Sequence, residues 1–205
     1  MTEWAGIVGA IMGCISTIVC AWFAYNQKTK DKMTDLKIQQ IKDADKRKSK
    51  RRADHSVRVI EELRDILHDL ECCRAYIVQP HPLGNEEMLT IYFEVKRKGV
   101  EAMKPQVQHL KISEVAKFAG ALERNLFTVI TNIEEQVKDR YAQSIFASLG
   151  TSQVIIKRLS DAKHDWVGSI ICEYTNQNEI NQEEARKILH NAATNIQYIL
   201  PEIEE

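Results

Sequence analysis

The apolar and polar positions divide the chain into one long uncharged stretch and a series of segments with helical spacing. The stretch Trp4–Tyr25, WAGIVGAIMGCISTIVCAWFAY, holds no charge and no proline. As a helix it reaches about 33 Å, enough to cross a hydrocarbon core of about 30 Å. At roughly 100° per residue, Ile7, Val8, Ile11, Met12, Ile15, Ile18, Val19, Trp22 and Phe23 gather in one sector. Gly6, Gly9, Gly13, Ser16, Thr17 and Cys20 fall in the opposite one. Ala5, Gly9, Gly13, Thr17 and Ala21 repeat a small-xxx-small spacing, which lets helix backbones approach one another in lipid. The pattern predicts a self-associating transmembrane helix over residues 1–25, with Gly6, Gly9, Gly13, Ser16, Thr17 and Cys20 packing against partners or lining a pore.

Residues 26–55 contain neither Gly nor Pro and are polar almost all round. Such a helix persists only as an extension of another helix or with partners, so the segment reads as a basic helical stalk. From Ser56 to about Val78, Ile60, Leu63, Leu67, Leu70 and Ile77 recur at helical spacing, with Val59, Ile66 and Cys73 widening the seam. Pro80, Pro82 and Gly84 enforce a turn, and Asn85 stands as an N-cap before Glu86 and Glu87. Residues 88–95, MLTIYFEV, alternate as a strand does. No second run of comparable quality pairs with them, and a lone strand leaves its backbone unsatisfied, so they are expected to be helical. Ser113 opens the strongest period, through Val115, Phe118, Leu122, Leu126, Val129, Ile133 and Val137 to about Arg140. A further apolar stretch ends at Gly150, a candidate C′ residue. Thr151 or Ser152 then caps a helix through Ile155, Leu159, Trp166, Ile170 and Tyr174. After a polar loop, Asn181 with Glu184 resembles a capping box for a last helix through Ala185, Ile188, Leu189, Ala192, Ile196 and Ile199 to Pro201. The expected fold class is all-α: a transmembrane helix over 1–25, a stalk over 26–55, and a bundle of five or six helices over 56–205.

Charge orients this layout. The net charge of −1 hides an asymmetry: residues 26–56 hold eleven Lys/Arg against five Asp/Glu, and residues 57–205 hold 17 against 23. A basic collar after the span places the N-terminus outside and the C-terminal domain in the cytoplasm, as a single-pass protein of the inner (cell) membrane. The run Lys46, Arg47, Lys48, Lys50, Arg51 and Arg52 has three readings. It is a solvated or lipid-directed patch, a site for an anionic ligand or a gating region, or a nuclear-localisation or DNA-binding patch, which sits badly with a membrane anchor.

Candidate chemistry is sparse. Five cysteines without a C-x-x-C spacing argue against a disulfide framework or a zinc site, and Cys72-Cys73 reads as two small apolar residues. The six histidines form no metal-binding pair, and no phosphate loop, dinucleotide fingerprint or nucleophile elbow is present. No catalytic residue, metal, cofactor or enzymatic activity is expected. Lys96-Arg97-Lys98 and Lys157-Arg158 could hold phosphates, and Trp166 and Tyr174 could stack a base; ordinary surface and core packing account for both.

Two functions are left. One is a homo-oligomeric membrane effector, an ion channel or pore subunit closed by a dewetted constriction. The other is a membrane-tethered helical adaptor that recruits a protein partner and conducts nothing. With its single Gly-rich span (GIVGAIMGCIST), Lys-rich stalk and helical domain lacking a catalytic motif, the chain resembles the membrane effectors of bacterial anti-phage defence systems, of the Hailong-channel type. The resemblance lies in the architecture; no residue motif carries it, so it transfers no functional residues. It implies a homo-oligomeric channel in the lipid bilayer, gated by an anionic nucleotide or oligonucleotide ligand, with no double-stranded DNA as partner.

Overall fold

The computed structural model describes residues 53–81 and 87–200, with Gln39, Lys42, Lys46, Lys50 and Arg51 ahead of them. The chain divides after Arg51, and the part that follows carries the fold. Its elements are α1 (53–69), β1 (Arg74–His81), β2 (Met88–Lys96), β3 (Leu110–Lys111), α2 (Ala116–Arg124), β4 (Phe127–Ile130), α3 (Ile133–Gln136), α4 (Arg140–Ser148), β5 (Gln153–Ser160), β6 (Trp166–Tyr174) and α5 (Gln182–Ile196). Short 3-10 turns stand at Lys104–Gln106 and Ile112–Glu114. The all-α expectation is thereby corrected: this is a mixed α/β fold on a six-stranded antiparallel sheet of order β3-β2-β1-β6-β5-β4.

The sheet is covered on both faces, and that explains the error. Along β1, Tyr76 and Val78 point into one core while Ala75 and Ile77 point into the other. Along β6, Ile171 joins the first core, and Ile170, Cys172 and Tyr174 join the second. A central strand buried on both sides reads as a continuous apolar run without polar alternation, which periodicity cannot tell from a buried helix. By spacing alone, β1 therefore merges with the seam after Ser56, and β5 and β6 with a helix through Tyr174. The strand-like run at 88–95 does have a partner. β2 pairs antiparallel with β1, Ile77 opposite Phe93 and Val78 opposite Ile91. The register shift leaves Tyr92 unopposed, a bulge that sends Leu89 and Ile91 to one face and Phe93 and Val95 to the other.

The long helix expected from Ser113 is three short elements. α2 ends at Asn125, and the β-branched run Phe127–Ile130 pairs with β5. Asn132 then caps α3 by accepting from Glu134 and Glu135 N–H at 3.1 and 3.3 Å. β5 and β6 form a hairpin without Gly or Pro at its tip: Asp161 Oδ1 accepts from Lys163 and Asp165 N–H, both at 2.8 Å, while His164 adopts φ +68°. Three local readings hold. Gly150 sits at φ +66° past α4, residues 175–181 carry no helix or strand, and Asn181 caps α5 by accepting from Glu184 N–H at 3.4 Å.

Helical spacing decides α1 and α5. Val59, Leu63 and Ile66 of α1, with Ala185, Leu189, Ala192 and Ile196 of α5, are buried against the second core. Asn195 Nδ2 donates to Glu62 Oε1 at 2.8 Å, joining the two helices. α2, α3, α4 and the segment 103–115 cover the opposite face.

Candidate functional site

That second cover, over the face lined by Tyr76, Val78, Leu89, Ile156 and Ile171, encloses space. A cavity of about 30 Å³ lies among Tyr76, Val78, Met103, Phe118, Phe146 and Ile171. It has the volume of about one water, and its wall is apolar. Beside it, between α2, β4 and the chain after α3, opens a cleft of about 220 Å³ whose lining includes Lys117, Phe118, Asn125, Thr128, Ile130 and Ile156. Phe118 lines both spaces. Its half-buried ring meets Phe146 edge-on, with centroids 5.6 Å apart and planes at 77°. Its backbone N–H donates to Asp139 Oδ2 at 2.5 Å, tying the start of α2 to the start of α4.

The cleft is apolar at its floor and polar at its rim. Ile130, Val137 and Ile156 are buried beneath it. At the rim, Gln136 Oε1 is engaged by Thr131 and Asn132 N–H at 2.7 and 3.0 Å, and Lys138 Nζ donates to Glu135 O at 2.6 Å. The side chains of Lys117, Asn125 and Thr128 make no hydrogen bond to any described residue, and no Asp or Glu lines the cleft.

On the same face, the cover is pinned to the sheet by a buried polar knot. Arg74 on β1 and Glu173 on β6 are both inaccessible to solvent and face each other across the strand pair. Arg74 donates through Nε and Nη2 to Glu173 Oε2 at 3.0 and 2.6 Å. Further donations reach Thr151 Oγ1 at 2.6 Å, Leu149 O at 3.3 Å and Glu101 O at 3.0 Å. Thr151 Oγ1 donates to Glu173 Oε2 at 2.5 Å, and the Tyr76 hydroxyl donates to Glu173 Oε1. Burial, followed by the charge and the hydrogen bond of Glu173, holds the Tyr76 phenol well above its usual value of 10. The knot thus fastens the chain leaving β2 and the chain leaving α4. Among the described residues, no side-chain hydrogen bond joins the helical residues of α2 or α4 to a strand; apolar packing holds them.

The cysteines belong elsewhere. Cys72 and Cys172 are buried in the core under α1 and α5, and a hydrogen bond between them, with burial, holds the Cys172 thiol well above its usual range. Trp166 and Tyr174 face opposite cores and cannot stack on one ligand. Burial, then Arg186 and Arg158, lowers the Lys157 pKa, and Arg186 lies 4.7 Å over the Phe127 ring.

Of the residues singled out from sequence, Gly6, Gly9, Gly13, Ser16, Thr17, Cys20, Arg47, Lys48 and Arg52 lie outside the described residues. Lys46, Lys50 and Arg51 are exposed helical positions, and none lines the cavity or the cleft. Helical spacing marks Phe118 as a core residue only, and no motif marks Lys117, Asn125 or Thr128. One signal for the knot was present: Arg74 in CCRAYIV and Glu173 in SIICEYT are opposite charges inside otherwise apolar runs, where a buried charge needs a partner.

No family model matches the chain, and no curated protein matches it. Solved structures do. A domain of a two-component sensor histidine kinase from Sinorhizobium meliloti 1021 is 14% identical with a TM-score of 0.51, over 67% of this chain and 85% of that one. The PixJ GAF domain of Thermosynechococcus elongatus, in its blue-light absorbing form, is 11% identical with a TM-score of 0.58, over 72% and 85%. A far-red cyanobacteriochrome photoreceptor is 11% identical with a TM-score of 0.58, over 82% and 99%. At such identities the likeness establishes the fold, which is GAF-like. The resemblance to anti-phage membrane effectors is overturned, and with it the channel or pore subunit; the helical adaptor falls with the all-α class. The single-pass inner-membrane placement is likewise not supported. No helix of the described residues is long and apolar enough to cross a membrane, and Trp4–Tyr25, on which that placement rested, lies outside them.

Proposed function

We propose that the domain is a small-molecule sensor, in which a ligand enters between the sheet and the α2–α4 cover and shifts the cover's position. The observation that carries this reading is the pair of spaces, about 30 and 220 Å³, both lined by the half-buried Phe118. Over them the segment 103–115 is hydrogen-bonded to β2, whereas the helical residues of α2 and α4 rest on apolar contacts. In this reading, displacing the side chain that both share joins the apolar pocket to the cleft. A ligand that favours the joined arrangement shifts the population toward it by its differential affinity. Matching structures named as a sensor histidine kinase domain and as photoreceptors are in keeping with a sensory role.

A chromophore of the kind named for one matching structure, phycocyanobilin, does not fit these residues. Both spaces fall below the ~300 Å³ at which pockets for drug-sized ligands begin. Among the described residues no cysteine lines either space, so no thiol is at hand for a covalent link.

Amide hydrogen exchange on the full chain, with and without indole, tests the reading. α2 and α4 should exchange through local opening, faster than β1 and β6, and slow when indole is added. Exchange of α2 and α4 only by global unfolding, unchanged by indole and by the ring compounds named below, would overturn it.

A further inference from the structure

We infer that the cleft takes a small organic anion with an apolar, ring-sized body; this rests on the sensory reading above and names its ligand class. Size sets the body. An apolar cavity of about 150 Å³ accommodates benzene, so about 220 Å³ holds a six-membered ring with a charged group attached. Composition sets the orientation. The ring belongs on the buried floor of Ile130, Val137 and Ile156, against the edge of Phe118. Charge sets the class. Lys117 and Lys138 line the cleft and no acid does. Asp139, whose Oδ2 accepts from Phe118 N–H, does not line the cleft. Lys138 Nζ already donates to Glu135 O, whereas among the described residues the Lys117 side chain has no hydrogen-bond partner, and neither do those of Asn125 and Thr128, which share the cleft with it. A carboxylate or phosphate there gains one charge-assisted and one or two neutral hydrogen bonds.

The probes are phenylacetate and phenyl phosphate, each a ring with an anion, beside 2-phenylacetamide, a ring without charge, and acetate, charge without a ring. Binding to the isotope-labelled full chain is followed by NMR at the amides of Lys117, Asn125 and Thr128. The expected result is that at least one ring anion binds about tenfold or more tighter than 2-phenylacetamide and acetate. Lys117→Gln should remove most of that advantage while leaving 2-phenylacetamide unchanged; Lys117 is exposed, so the variant keeps the fold. Preference between phenylacetate and phenyl phosphate identifies the charged group. Equal binding of 2-phenylacetamide overturns the anion class and leaves the sensory site standing. Equal binding of acetate overturns the ring-sized body. No shift at these amides with any probe overturns this inference, and the reading beneath it is then decided by the hydrogen exchange of α2 and α4.

Discussion

Arg74→Met removes the cation from the knot that anchors the cover. Arg74 makes five hydrogen bonds, to Glu173 twice, Thr151, Leu149 O and Glu101 O, and neither it nor Glu173 has any solvent exposure. The variant leaves the Glu173 carboxylate in the interior with only the hydroxyls of Tyr76 and Thr151. Removing one partner of a buried pair costs about 3–5 kcal/mol, because the remaining charge is uncompensated. The carbonyls of Leu149 and Glu101 lose a charged donor as well, so the upper part of that range is expected, out of a typical total of about 5–15 kcal/mol. Replacing both charges is milder, since an apolar pair needs no desolvation of ions. Arg74→Met/Glu173→Met should recover about 2 kcal/mol or more relative to Arg74→Met alone, a coupling within the range for contacting residues. Urea unfolding of the full chain, read by near-ultraviolet circular dichroism and extrapolated linearly, measures each. A cost below about 1 kcal/mol for Arg74→Met, or a double variant that loses the sum of both single changes, would refute the knot as an anchor.

Four further outcomes follow from the same geometry. The raised Tyr76 phenol favours its neutral form in the fold, so its contribution is complete below the unfolded pKa of about 10 and is lost as pH climbs above it; Tyr76→Phe should lessen the stability decline between pH 10 and 11 by about 1 kcal/mol. Gly168 has φ +153°, and a Cβ there would stand 2.8 Å from Val78 O on β1, so Gly168→Ala should cost about 2–3 kcal/mol in urea unfolding by forcing β1 from β6. Asn181→Ala removes the α5 cap and should cost about 1 kcal/mol, seen as a lower midpoint with an unchanged slope. Phe118→Ala joins the two spaces; it should cost about 2 kcal/mol and raise affinity for indole, measured by calorimetry, whereas unchanged or weaker binding would argue against Phe118 as the divider.

What the sequence disclosed depended on how many faces of each element meet the core. α1 and α5 bury a single stripe, Val59, Leu63 and Ile66 on one and Ala185, Leu189 and Ile196 on the other, so period and cap were legible. β1, β5 and β6 are buried on both faces, and in RAYIVQ or QVIIKRL nothing alternates. β2 did alternate, but the bulge at Tyr92 divides its apolar residues between two cores, and its partner had been read as helix. The hairpin tip at Asp161–Asp165 turns on a side-chain acceptor and a left-handed His164 rather than on Gly or Pro. The site is harder still to read, because Lys117 and Asn125 on α2, Thr128 on β4 and Val137 after α3 converge only once the segment from Ser113 breaks into short elements. Phe118 fitted the helical stripe, and only its position between two spaces separates it from the other core residues.

The claim that a ligand enters beneath the cover at Phe118 is tested most directly by methyl NMR of the full chain, labelled at Ile, Val and Leu and titrated with phenylacetate and 2-phenylacetamide. The prediction is that methyls of Ile130, Val137 and Ile156 shift together and saturate with at least one compound, while those of Ile155 and Leu189 under α1 and α5 move far less. Cleft methyls that stay fixed with both compounds, or shifts confined to exposed positions such as Val57 and Leu126, would contradict it.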